Sequence, residues 1–321
     1  MRVNLIKKLS AAALAGVVAF AGTATAETRI TYKSAKSSSS YYQMAVQIAE
    51  AMKAGSNGDI IVTVEESQGS VQNVMEATVR GDNYVFTTPP ALVSLAQGGK
   101  AMFKDKQNPK FADIRALFPI PSLTMHFVVR NDSGIEKFAD LEGKTILIGK
   151  GSFGAREGAK YLKLFGLEGK VELANVELSN AVAALKNKQI DGFVTAGSFP
   201  APNVIEEAAG TGVNVLSLSD DQIAKTKRTK LVIPAGTYAG VDGEINTTSL
   251  PVVAYTTVAM DDETAYALTK TYWEQKAKMA KDYAWWGGVT AEFLNNIRGK
   301  IHPGALKYYM EAGVSVPASA K

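Results

Sequence analysis

Cysteine is absent from the 321 residues, and histidine occurs only as His126 and His302. The first absence excludes a disulfide framework, a thiol nucleophile, a thiolate zinc site and an iron–sulfur cluster. So few histidines leave no multi-histidine metal centre. A surplus of one charge is also missing. The formal net charge is +4, and Arg2, Lys7 and Lys8 stand in an N-terminal stretch without acids. The remainder is close to neutral, with no basic stripe, so nucleic acid is not an expected partner. The G-x-S-x-G elbow, HExxH and P-loop signatures are absent, as is any internal repeat. No metal or cofactor is expected, and function must come from a local site.

What is present is a chain that can fold. With 46% hydrophobic and 21% charged residues, and ordinary glycine and proline usage, it has the composition of about two globular domains. Its first 26 residues read as an export signal: a basic n-region, an apolar run from Ala11 to Ala21, then Ala24-Thr25-Ala26 at the cleavage positions. The cut falls after Ala26. The apolar run is shorter than the roughly 20 residues of a membrane span, so the product is expected to be exported and not membrane-embedded.

Strands and helices alternate through most of the remainder, which predicts an α/β fold with largely parallel strands. Strands are expected over Glu27–Tyr32, Asp59–Glu65, Tyr84–Thr87, Ile114–Phe118, Met125–Arg130, Thr145–Gly149, Val171–Leu178 and Gly192–Thr195. Helices are expected after Ser37–Ser40 and over Val71–Arg80, Pro90–Gln97, Ala181–Lys188 and Glu263–Tyr283, with one more from Ala155. Two segments look like domain crossings: Leu123–Arg130, and Leu250–Met260 after a polar loop at Val241–Thr248. Lobe 1 is then discontinuous, 27–122 with 257–321, and lobe 2 is 123–256, inserted through hinge strands at about 123–130 and 250–260. Such an arrangement leaves a cleft between the lobes.

Several strand–turn–helix junctions are suited to holding an anion, because a helix N-terminus presents unpaired N–H donors and partial positive charge. Ser37, Ser38, Ser39 and Ser40 precede Tyr41 and Tyr42, with Lys36 just upstream; a single serine would suffice for capping. Gly69, Ser70 and Asn73 sit in a second such turn, and Thr88 ends the next strand. Gly149-Lys150-Gly151-Ser152-Phe153-Gly154 matches G-x-G-x-x-G after a strand, which opens a dinucleotide reading. Glu168 and Glu172 lie near the offset of a ribose-binding acid, but the acid should end the second strand, where Glu177 fits better and is too far on. With the mid-chain position and the expected export, where NAD is scarce, this favours a carboxylate cradle on Ser152, Phe153, Gly154 and Ala155. Arg156 either clamps that carboxylate or pairs with Glu157 or Glu172. Ser198 and Phe199 repeat the plan once more, with Phe199 a cleft wall or core. Trp285 and Trp286 read as packing, His126 as core and His302 as a turn residue.

These residues together resemble the TAXI family of solute-binding proteins, receptors of one class of TRAP transporters. The marks are Ile30–Tyr42 ending in Tyr-Tyr, Ser67–Asn73, Leu117-Phe118-Pro119, Val128–Ile135 with Asp140–Lys144, and Gln189–Phe193. Pro234-Ala235-Gly236-Thr237-Tyr238 and His302-Pro303-Gly304-Ala305 with Tyr308-Tyr309 complete the set. The resemblance implies a two-lobed periplasmic binding protein of type II, with the two strand crossings as hinge. Such a protein is not an enzyme: it captures a small anionic solute and hands it to a TRAP membrane permease. Family members bind glutamate-, glutamine- or 2-oxoglutarate-like acids. Here Lys36, Phe153 and Arg156 depart from the family pattern, and the two added cations point to a dicarboxylate or a sulfonate. The rival expectations are a receptor of the same fold serving an ABC importer, and an exported dinucleotide-dependent oxidoreductase.

Overall fold

The computed structural model describes residues 27–37, 39–150 and 153–321, without the side chain of Phe153. The expected export signal, Ser38, Ser152 and the Phe153 side chain lie outside the described residues. The chain begins with β1 (Thr28–Lys33), α1 (Ser40–Gly55), β2 (Ile60–Glu65), α2 (Ser70–Glu76), β3 (Tyr84–Thr88) and α3 (Pro90–Gln97). A long strand, β4 (Ile114–Arg130), leads to β5 (Thr145–Leu147), α4 (Phe153–Leu164), β6 (Glu172–Leu173), α5 (Ala181–Lys186) and β7 (Gly192–Gly197). Then follow α6 (Pro202–Gly210), β8 (Val213–Val215), α7 (Asp220–Thr226), β9 (Thr229–Ile233) and β10 (Ile245–Thr257). The chain ends with α8 (Asp262–Asp282), β11 (Lys300–Ile301) and α9 (Pro303–Glu311).

Local chemistry explains most of these bounds. Ser39 caps α1, its hydroxyl accepting from the Tyr41 N–H at 3.2 Å, and Ser219 forms a capping box with Gln222 at α7. Proline begins α3, α6 and α9, where its missing N–H costs nothing. All five residues of β3 are buried, as expected of a strand covered on both faces.

One sheet links everything, in the order β2-β1-β3-β10-β4-β7-β5-β6, with β11 and β8 on β4 and β9 on β10. The first half, β2-β1-β3, is parallel, and so is β7-β5-β6 in the second. Strands β4 and β10 run antiparallel and belong to both halves. The start of β4 pairs with the end of β10, Ile114 opposite Thr257, and the end of β4 pairs with β7, Thr124 opposite Gly197. The start of β10 pairs with β9, Ile245 opposite Ile233, and its end with β3, Ala254 opposite Thr87.

The structure corrects three expectations. The segments 114–118 and 125–130 are one strand. The polar stretch 245–248 is not loop but the start of β10, paired to β9. The strand expected over 171–178 contracts to Glu172–Leu173. Between the halves the β4–β10 register slips: Leu123 faces Leu250 and Ile120 faces Val252, so Pro121 and Ser122 oppose Pro251 alone. Proline brings no ladder N–H, and the bulge loosens the pairing where the chain passes from one half to the other.

Candidate functional site

The two halves meet across a cleft, and one of their contacts runs from backbone to side chain. The Ser198 N–H, just after β7, donates to the Ser40 hydroxyl at the start of α1 over 3.3 Å. A Cβ on Gly197 would stand 2.6 Å from that same oxygen. Only glycine lets the strand come this close.

Beside that contact lies a cavity of ≈ 110 Å³. Its wall gathers the carboxyl ends of β1, β2 and β5 with part of β7, where ligands of open α/β sheets bind. Lys36, Ser39, Tyr41, Gly69 and Ser70 come from one half, and Gly154 and Ala155 from the other. These were expected from the sequence, and the fold brings them together. Tyr41 is buried; its hydroxyl donates to the Pro121 carbonyl at 3.0 Å, tying the cavity wall to the crossing, and desolvation pushes its pKa well up. Gly69 has φ 112°, a left-handed conformation suited to glycine, and its N–H donates to the Ser67 hydroxyl at 3.0 Å.

The remaining sequence candidates fall elsewhere. Asn73 is fully buried and donates from Nδ2 to the carbonyls of Ser34 and Thr87, at 2.7 and 2.9 Å, so it ties the loop after β1 to the end of β3. Thr88 is also fully buried. Ser37 is exposed, its N–H given to Glu66; Tyr42 is half-buried. Ser39 and Ser40 also line a wider groove of ≈ 630 Å³ against α5 and α6. Ser198 and Phe199 line a third cavity, ≈ 390 Å³, with Ser122, Thr124 and Trp285. Leu123 faces the first cavity and its neighbours Ser122 and Thr124 the third, so β4 separates the two.

Arg156 is exposed on the first turn of α4. Its neighbour Glu157 is buried and held by Arg228 through two bonds of 3.0 and 2.8 Å, a bidentate pair. Gly154 is explained by packing: a Cβ there would lie 2.7 Å from that of Ala196 on β7. The third glycine of the apparent dinucleotide motif thus serves helix–strand contact.

Sequence reasoning missed two charged members of the first cavity, Lys150 and Glu177. Glu177 Oε2 accepts from Lys36 Nζ at 2.8 Å, an ion pair joining the two halves. The hydrogen bond from Lys36, then the nearby charges of Lys36 and Lys150, hold the Glu177 carboxyl below its usual range. Lys150 stands in the Gly-rich loop and Glu177 shortly after the next strand; position at strand ends was the available signal.

His126 is core, as expected, and anchors a relay. The Thr124 carbonyl can only accept, so Nδ1 carries the proton and donates to it at 3.2 Å. Nε2 then accepts from the Tyr238 hydroxyl at 2.8 Å, which in turn accepts from the Ala201 N–H at 3.0 Å. Burial pushes the His126 pKa down to about 4. Trp286 is a packing residue, whereas Trp285 is half-buried and lines the third cavity; both indoles donate to Gln47 Oε1.

No group of three or more metal-ligating acidic or histidine side chains occurs among the described residues, and no helix among them is long and apolar enough to cross a membrane. The sequence model of the NMT1-like family matches residues 33–313. Among solved structures, the periplasmic binding protein BugD superposes with a TM-score of 0.56 at 12% identity, covering 91% of this chain and 99% of that one. The periplasmic aliphatic sulphonate binding protein SsuA from Escherichia coli gives 0.48 at 14%, covering 91% and 94%. A TRAP periplasmic solute binding protein from Actinobacillus succinogenes 130z, with bound L-galactonate, gives 0.44 at 17%, covering 90% and 87%. The likeness to BugD is one of fold: a two-lobed α/β architecture.

Proposed function

The chain belongs to the NMT1-like family, and on that premise we propose that it is a periplasmic receptor that captures a small organic anion and delivers it unchanged to a membrane permease. The observation that carries this reading is the cavity between the halves, built from strand ends and the first turn of α4 and lined by two lysines. Its polar groups can grip a carboxylate or sulfonate. A hydrogen bond to a charged group contributes about 1.5–3 kcal/mol, and more of it is realised where water is excluded.

Residues 27–122 with 257–321 form one lobe in this reading and residues 123–256 the other, hinged where β4 and β10 cross. The slipped register and the prolines at Pro121 and Pro251 support the division. Solute shifts the population from open to closed lobes, and the permease reads the closed surface. The resemblance to TAXI receptors favours an ion-coupled TRAP permease; the same fold would equally serve an ABC importer. Uptake into vesicles carrying the permease separates them, since collapse of the ion gradient stops the first and removal of ATP the second.

A thermal-shift screen of organic acids, amino acids and sulfonates tests the receptor reading. A solute at 100 times its Kd adds about 2.7 kcal/mol, so a true solute raises Tm visibly. Tight binding of NAD(H) with no small anion bound would overturn it in favour of an oxidoreductase.

A further inference from the structure

The charges around the first cavity set a limit on what it admits. Among the described residues its charged lining is Lys36, Lys150 and Glu177. Lys36 Nζ lies 2.8 Å from Glu177 Oε2, so one ammonium is already matched by a carboxylate of the opposite half. One positive charge, on Lys150, remains for a ligand. The rest of the wall is largely apolar, with Leu123, Ile148, Val194 and Ala196 among its members, and the room is only ≈ 110 Å³. A negative charge seated against this apolar wall without a cation is disfavoured, while Lys36 and Glu177 themselves stay about half exposed.

We infer that the solute is a compact monoanion with an apolar body, a short carboxylate or sulfonate, and that Glu177 is the residue that rejects dicarboxylates. This rests on the receptor reading and narrows it. A second carboxylate would meet the Glu177 carboxylate at close range, or would have to break the Lys36–Glu177 pair that joins the halves. Glu177 remains ionised at neutral pH, because Lys36 and Lys150 both favour its charged form. Discrimination by an opposing charge acts against the wrong ligand more than it helps the right one.

Calorimetry on the purified full chain tests this with matched carbon skeletons: butyrate against succinate, valerate against glutarate, and propane-1-sulfonate. The expected result is that the monoanions bind at least tenfold more tightly than the matched diacids. Glu177→Gln, which keeps an acceptor for Lys36 but removes the opposing charge, is expected to tighten diacid binding about tenfold more than it tightens monoanion binding. Lys150→Met should weaken every monoanion by tenfold or more. A wild-type preference for diacids, or a ratio that Glu177→Gln leaves unchanged, overturns the inference and leaves the receptor reading standing. Failure of both series to bind, with no hit in the thermal-shift screen, overturns both.

Discussion

Closure of the two halves can be probed at the point where they touch. Gly197 has no left-handed φ to protect, so Gly197→Ala tests contact alone. Its new Cβ would lie 2.6 Å from Ser40 Oγ, well inside van der Waals distance. Ser40 is buried, and its hydroxyl already accepts from the Ser198 N–H. Overpacking of this kind costs about 1–3 kcal/mol. In the open form that the receptor reading requires, the groups are apart and the cost vanishes, so on that reading the whole penalty falls on closure. At about 1.4 kcal/mol per decade, affinity for the solute should drop roughly 5- to 150-fold. Small-angle scattering should show the liganded variant more extended than the liganded wild type. Adding Ser40→Ala removes the clashing oxygen and should recover most of the loss. If Gly197→Ala binds as tightly as wild type, or if Ser40→Ala fails to rescue it, the lobes do not close through this contact.

Two further predictions concern stability. Glu157→Ala strands the half-buried Arg228 guanidinium, and urea unfolding should show a loss of about 3–5 kcal/mol; a loss below 1 kcal/mol would mean that Arg228 finds another partner. Acid should weaken the fold through His126. Above pH 6.5 the residue is neutral in both folded and unfolded chains and costs nothing. Between pH 6.5 and about 4 the unfolded chain takes up a proton that the folded one refuses, so stability falls with pH, by roughly 3 kcal/mol in all. Protonation would also set Nε2 as a donor against the Ala201–Tyr238 relay. His126→Gln, which does not titrate, should flatten that part of the pH profile; parallel profiles would refute the assignment.

How far the sequence disclosed the structure depended on which force shaped each segment. Helix α3 was read at its observed bounds, because proline opens it and glycine follows it. The start of β10 was hidden because Thr247 and Thr248 are polar residues in a buried strand. Their hydroxyls are satisfied at long range, Thr247 on the Met125 carbonyl and Thr248 with the Tyr161 hydroxyl, both at 2.6 Å. No local pattern announces a partner more than 80 positions away. The same applies to the site. Ser39, Gly69 and Gly154 declared themselves through turn chemistry, whereas Asn73 resembled a ligand arm and is a brace between the loop after β1 and strand β3. Lys36 was read as free charge for the solute, and only the fold brings Glu177 to it.

The slipped pairing at the crossing has a bearing on modularity. Leu123 and Leu250, where the chain enters and leaves the second half, face each other across the ladder, so about 5 Å separates the two ends. A tight hairpin turn could bridge them, and the intervening 126 residues could be exchanged for those of a relative without altering how the outer segments meet. New solute preferences could therefore be acquired by transplanting that block, because it brings its own share of the pocket and leaves the other share in place.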